Sequence, residues 1–171
     1  WSQQIGKPDQ DIELDMVRRW WIAPVAIDQG VIICPTTIGL LTAIDRLNHS
    51  ILWSTRYEPA SSSRNNQQFN HINQTTREPL NQRWCPSAPI ISGNKVIYTP
   101  QDDETLVCLD LITGSPCWTR RAKESSLYLA GVVDNLILLV GLNGVHAVSL
   151  TNGKTVWSKS FDSEAGLPSG Q

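Results

Sequence analysis

Four of the seven tryptophans stand in one context. Trp1-Ser-Gln-Gln, Trp53-Ser-Thr-Arg, Trp118-Thr-Arg-Arg and Trp157-Ser-Lys-Ser each follow the indole with a hydroxyl residue and then a polar one. Upstream of the three internal tryptophans the match lengthens. The copies read AIDRLNHSILW over Ala43–Trp53, CLDLITGSPCW over Cys108–Trp118 and AVSLTNGKTVW over Ala147–Trp157. Asp45, Asp110 or Ser149 comes eight positions before the tryptophan, and His49, Gly114 or Gly153 comes four before it. Further upstream, PVAIDQGVII begins at Pro24, PIISGNKVIY at Pro89 and AGVVDNLILL at Ala130. Pro24 to Trp53 and Pro89 to Trp118 are both 29 residues, and Ala130 to Trp157 is 27, so three copies keep one register. Self-similarity at this period means a propeller, a solenoid or an array.

Each copy divides into four short segments: PVAID, VIICP, LLTAID, ILWSTR; PIIS, VIYTP, TLVCLD, PCWTR; AGVV, LILLV, GVHAVS, TVWSK. They are rich in β-branched and aliphatic residues and are separated by turn residues such as Asp28-Gln29-Gly30, Gly93-Asn94 and Asp134-Asn135. No 3.6-residue period is sustained, so helices are not expected as major elements. A four-stranded sheet of this size cannot bury both faces alone, whereas radial stacking of neighbours does so. The predicted fold is all-β, with four-stranded antiparallel β-propeller blades in an incomplete ring of about three to four. The tryptophans are expected to pack flat between blades, and Trp118→Ala to cost about 3–5 kcal/mol.

Turn chemistry sharpens the register. Gly114 and Gly153 supply positive φ without steric penalty, while His49 in the same place predicts a relaxed turn. Asp45 and Asp110 can cap that turn through backbone N–H groups, and Ser149 less well. A four-residue loop after Asp110 sets Cys108 opposite Cys117, with Ala43–Leu52 and Ala147–Val156 as matching pairs. That pairing admits a Cys108–Cys117 disulfide, although cross-strand bridges are geometrically demanding. Cys34 and Cys85 complete the cysteines. With no CxxC spacing and no histidine at zinc-ligand distance, all four read as small buried hydrophobes.

The pattern small–aliphatic–Asp–x–x–Thr/Asn–Gly–x–x–x–Trp resembles the tryptophan-docking repeat of the PQQ-like (quinoprotein-type) β-propellers. LDLITGSPCW and VSLTNGKTVW carry it best, and IDRLNHSILW in degraded form. On this resemblance 1–19 is the last strand of a preceding blade plus a linker, marked by Trp1. Blade repeats then occupy 20–57, 84–121 and 126–161, and 162–171 leads to a further blade. At ~40 residues per blade, 171 residues fall short of a closed ring, so the chain is expected to be a fragment. Long multi-domain proteins of planctomycete-type bacteria carry repeats similar to GVVDNLILLVGLNGVHAVSLTNGKTVW. The family implies exported or periplasmic residence.

The family also divides by function. Some members are dehydrogenases holding pyrroloquinoline quinone and Ca²⁺ through vicinal cysteines, carboxylate and amide ligands and an aspartate base. Others are non-catalytic scaffolds, among them the outer-membrane assembly lipoprotein. This sequence has no Cys-Cys pair and no calcium-loop constellation. No catalytic, cofactor-binding or metal-binding residue is therefore assigned. The favoured reading is a non-catalytic scaffold for a protein partner or small ligand, without cofactor. The alternatives are part of a PQQ/Ca²⁺-dependent dehydrogenase, and the sensor domain of a larger receptor.

The remaining candidates read as ordinary surface. Asp102-Asp103-Glu104 would offer oxygen ligands, but three consecutive acids diverge and suit a solvated turn. His49, His71 and His146 share no ligand spacing, and Ser61-Ser62-Ser63 lacks a nucleophile context. Nine of the 26 residues in 58–83 are Asn or Gln, a composition that marks an insertion loop on the surface. Formal net charge is -2, and the basic pairs Arg18-Arg19 and Arg120-Arg121 stand alone, so the electrostatic footprint of a nucleic-acid binder is missing. No apolar run approaches the ~20 residues of a membrane span.

Overall fold

The computed structural model describes residues 1–2, 4–6, 23–36, 38–56, 84–100, 105–121 and 126–161. The expectations on Asp102-Asp103-Glu104, His71, Ser61-Ser62-Ser63 and the 58–83 insertion lie outside these residues. The described residues hold three four-stranded antiparallel sheets, each in simple meander order. Blade 1 comprises β1 (Ala26–Asp28), β2 (Val31–Pro35), β3 (Leu40–Asp45) and β4 (Ile51–Arg56). Blade 2 comprises β5 (Ile90–Ser92), β6 (Lys95–Tyr98), β7 (Thr105–Asp110) and β8 (Pro116–Arg121). Blade 3 comprises β9 (Ser126–Val133), β10 (Leu136–Gly141), β11 (Gly144–Ser149) and β12 (Thr155–Ser160). Among the described residues the three blades form an open arc of a propeller.

The first hairpin of each blade turns where sequence places it. Gln29 and Gly30 have φ of 50° and 78°, and Asp134 and Asn135 have 47° and 65°. Two consecutive positive values fit the twist of a two-residue hairpin. The last hairpin repeats one geometry three times. The Asp110 N–H donates to Ser115 O at 2.9 Å, and Gly114 N–H returns to Asp110 O at 2.9 Å. Gly153 and Ser149 form the same return bond in blade 3, and His49 and Asp45 in blade 1. The relaxed turn expected at His49 is not found. His49 is held at φ 57° with the same 2.9 Å bonds that Gly114 makes at 68°. Two further bonds, donated by the N–H groups of Leu47 and Asn48 to the Asp45 carboxylate at 2.8 Å each, fix the loop around it.

The predicted pairing of the last two strands is corrected by one residue. Leu109 faces Pro116 but Cys108 faces Trp118, so Cys117 is an extra residue on β8. Leu52 and Val156 are bulged in the same way, with Ala43 facing Trp53 and Ala147 facing Trp157. The loop length was right and the bulge was missed. Its physical cause lies in the alternation of the strand. Leu109, with Val107 packed alongside, belongs to the core shared with blade 1, whereas Leu106 and Cys108 belong to the core shared with blade 3. Regular pairing would set Trp118 opposite Val107 and turn its indole toward blade 1. One inserted residue flips it to the Cys108 side, toward blade 3.

Two cores result, both between blades. Val31, Ile33, Leu41, Ala43 and Trp53 meet Val96, Tyr98, Leu109 and Leu111. Ile97, Leu106 and Cys108 meet Ile137, Leu139, Val148 and Leu150, with Trp84 and Leu129 closing the cluster. No blade has an interior of its own. Burial of the repeated tryptophans follows their neighbours: Trp53 is 9% exposed, Trp118 is half-buried, Trp157 is 43% exposed and Trp1 69%. The expected outcome is a graded series. Trp53→Ala lowers the unfolding free energy by about 3–5 kcal/mol, and Trp157→Ala by less than about 1 kcal/mol. Urea denaturation of the two variants checks it, and equal losses would contradict the burial order.

Candidate functional site

The hairpin ends of blades 2 and 3 meet in a joint that repeats the one between blades 1 and 2. The Trp53 indole N–H donates to Leu111 O at 2.9 Å, and the Trp118 N–H to Leu150 O at 3.0 Å. Each acceptor immediately follows the turn residue Asp110 or Ser149. The Trp53 ring covers Gly114 and the Trp118 ring covers Gly153, so closely that a Cβ on Gly153 would stand 2.7 Å from Trp118 Cε3. The residue two past each tryptophan reaches the same glycine. Thr55 Oγ1 donates to Gly114 O at 3.4 Å, and the Arg120 guanidinium donates to Gly153 O at 2.8 Å and to Thr155 Oγ1 at 3.1 Å. Burial at this joint lowers the pKa of Arg120.

These glycines therefore have two reasons to be glycine: φ of 68° and 70°, and the absence of room for a side chain. Blade 1 shows the alternative. Trp1 meets His49 where Trp53 meets Gly114, and the two rings stack with centroids 4.3 Å apart and planes 26° from parallel. The imidazole fills the place of the bare backbone, and Trp1 remains largely in solvent. Gly153→Ala is expected to destabilise the chain by roughly 3 kcal/mol, from backbone strain and displacement of Trp118 together. Thermal unfolding with Trp fluorescence reads both; a loss no larger than that of Gly93→Ala, where φ is 56° but nothing lies within 4 Å, would contradict the packing half of the argument.

Beside this joint lies a cleft of about 370 Å³. Asn94, Lys95, Asp110 and Cys117 line it from blade 2, and Asn135 and Leu150 from blade 3. Lys95 Nζ bridges the blades by donating to Leu150 O at 3.1 Å. Asn94 Nδ2 donates to Asp110 Oδ2 at 2.5 Å, and Asn135 Nδ2 to Thr151 Oγ1 at 3.1 Å. The other Asp110 oxygen caps its own turn, accepting from Ile112 N at 3.0 Å, Thr113 N at 2.8 Å and Thr113 Oγ1 at 2.9 Å. Ser149 manages only one such bond, from Thr151 N at 3.3 Å, the weaker cap its side chain predicts.

Hydrogen bonds to the ionised form, led by those from Thr113, hold the Asp110 carboxyl below its ordinary value; for Asp45 the leading donors are Asn48 and Leu47 N–H. A carboxyl depressed on folding adds stability that is full above its unfolded value near 4 and is lost as pH falls through the folded value. Stability is thus expected to fall below about pH 4, and Asp110→Asn to flatten that fall. Melting temperatures between pH 2.5 and 7 measure it; an unchanged slope would show that Asp110 is not one of the titrating caps.

The buried Cys108 thiol neighbours Cys117, which lines the cleft. Burial above all, and then the neighbouring Cys117 sulfur, push it up to about 12, with Lys95 pulling the other way. Both cysteines are free thiols, Cys108 buried and Cys117 exposed. Burial also raises Cys34, which sits on β2 away from the cleft. His49 lies in a turn of blade 1 and His146 on β11 of blade 3. Among the described residues no three His, Cys, Asp or Glu side chains come together as a set for a metal ion. The carboxylates of Asp45 and Asp110 are bonded into their turns. Sequence reading missed the cleft because its lining comes from residues 92–95, 110, 117, 135 and 150, which only blade stacking brings together. The cysteine pair was its one legible trace.

Repeated four-stranded blades joined by an indole on the next blade's turn define a tryptophan-docked β-propeller. The chain belongs to the PQQ-like β-propeller family whose model, described as "Outer membrane protein assembly factor BamB", matches residues 1–167. A search of curated proteins finds no match. Among solved structures, BamB from Moraxella catarrhalis is similar at a TM-score of 0.56 and 20% identity, covering 80% of this chain and 35% of that one. A europium-containing methanol dehydrogenase is similar at 0.56 and 13%, covering 85% and 28%. The computationally designed Ika4 protein is similar at 0.55 and 13%, covering 98% and 84%. At these identities the likeness is one of fold. The chain spans about a third of the length of BamB and less of the dehydrogenase.

Proposed function

We propose that the chain is a non-catalytic part of a propeller that serves as a protein-interaction scaffold. The observation that carries this reading is the use to which the polar side chains of the hairpin face are put. Asp45 and Asp110 cap their own turns, and Lys95 and Arg120 bridge to carbonyls of the neighbouring blade. These groups hold blades in register and are not arranged as a nucleophile with its base or as a ligand shell. The match to a family described as an outer membrane protein assembly factor supports the same reading. No helix among the described residues is long and apolar enough to cross a membrane.

The second reading, part of a quinoprotein dehydrogenase, is favoured by the likeness to methanol dehydrogenase. Titrating the full chain with PQQ and Ca²⁺ separates the two. The scaffold reading expects no change in quinone absorbance and a melting temperature constant to within about 1 °C. A ligand that binds only the folded state would raise it by mass action, with ~2.7 kcal/mol of stabilisation at a hundredfold excess over Kd. A saturable rise accompanied by a quinone spectral change would overturn the scaffold reading.

A further inference from the structure

We infer that Cys108 and Cys117 form a redox-active dithiol site in the cleft between blades 2 and 3, with a small-molecule or protein-borne disulfide as its substrate. The bulge creates the site. Two residues of β8, Cys117 and Trp118, stand against the single residue Cys108 of β7, and the side chains of 117 and 108 come to the same side. The Cys117 side chain is near enough to the Cys108 thiol to raise its pKa. The corresponding pairs in the sister blades are Ala43 with Leu52 and Ala147 with Val156, so the packing of a blade does not require sulfur at either position. The two thiols are unequal. Cys117 is exposed and lines the cleft beside Lys95, whose ammonium is one of the cleft's donors. Cys108 has no exposed surface and packs among Ile97, Leu106 and Val148.

That asymmetry assigns the roles. Cys117 loses its proton, and its sulfur attacks one sulfur of the incoming disulfide; a mixed disulfide forms at Cys117 and the first thiol leaves with a proton. Cys108 then gives up its proton and attacks the Cys117 sulfur from below, where no outside reagent reaches. The Cys108–Cys117 bond forms and the second thiol departs protonated. In sum the two cysteines lose two electrons and two protons, and the substrate disulfide gains them. The product staples β8 to β7 across the turn capped by Asp110, next to the indole that docks on blade 3. Closure of the pair would therefore stiffen the joint itself.

The test uses the full chain in glutathione buffers of graded oxidised-to-reduced ratio. Free thiols are then trapped by alkylation and the chain is cut with trypsin. Cleavage after Lys95 and Arg120 releases residues 96–120, which contain Cys108 and Cys117 and no other cysteine. The expected product is this peptide two hydrogens lighter and unalkylated, formed at an oxidised-to-reduced ratio at least tenfold lower in the native chain than in urea. Cys108→Ala, the residue blades 1 and 3 carry there, should leave glutathione on Cys117. Cys117→Val, the residue of blade 3, should leave Cys108 unmodified. Circular dichroism of the two variants checks that the sheets persist. A native peptide alkylated at both cysteines, glutathione retained on Cys117 in the unmutated chain, or equal bridging in native and urea-treated chain would each overturn the proposal.

Discussion

The indole of each docking tryptophan does two things that no other side chain combines. Its N–H reaches the carbonyl after the neighbouring turn, 2.9 Å away at Leu111 and 3.0 Å at Leu150, and its face lies on the glycine of that same turn. A blade of four short strands has no interior of its own, so its apolar residues become core only when the next blade arrives. The hydrogen bond fixes where it arrives and the ring fixes how close. Leu111 and Leu150 join the two conditions, since each offers the carbonyl to the indole and its own side chain to the inter-blade core.

This dependence explains features that look unrelated. The bulge at Leu52, Cys117 and Val156 exists because the tryptophan must face forward, toward the next blade, while the strand's ordinary alternation would send it back. The aspartate caps exist because the turn is a receptor surface as well as a connection, and a receptor has to be held still. His49 marks what happens when the receptor is imperfect. Its imidazole occupies the space of a bare glycine, and Trp1 stacks on it, 69% exposed, instead of sinking onto the backbone. Trp157, with 43% of its surface exposed, shows the same residue without a turn to receive it among the described residues.

The joint also concentrates chemistry. The end of the blade pair that carries the docking contacts is where Lys95, Asp110, Asn94 and Asn135 converge, and where a thiol reaches the surface. Most of these groups are hydrogen-bonded across or within turns, which suits them to holding a surface in shape. Cys117 differs, because its place in the fold asks only for a side chain of middling size, as Leu52 and Val156 show. Sulfur there is a chemical addition to a structural position.

Much of the architecture was already legible in the one-dimensional repeat. The shared register running up to Trp53, Trp118 and Trp157 marked the repeat, the β-rich segments between turn residues marked four strands per unit, and Asp45, Asp110, Gly114 and Gly153 marked the last hairpin. Local physics governs these features: positive φ selects glycine and a free turn N–H selects a carboxylate. Three things had to wait for the tertiary structure. The bulge shifts pairing by one residue, since the demand that the indole face forward comes from a neighbour 58 residues away rather than from the hairpin. The left-handed His49 turn is held by its cap in spite of its own preference. The cleft is lined by residues from five separate places on two blades, and no pattern along one strand can announce a surface that exists only where two blades meet.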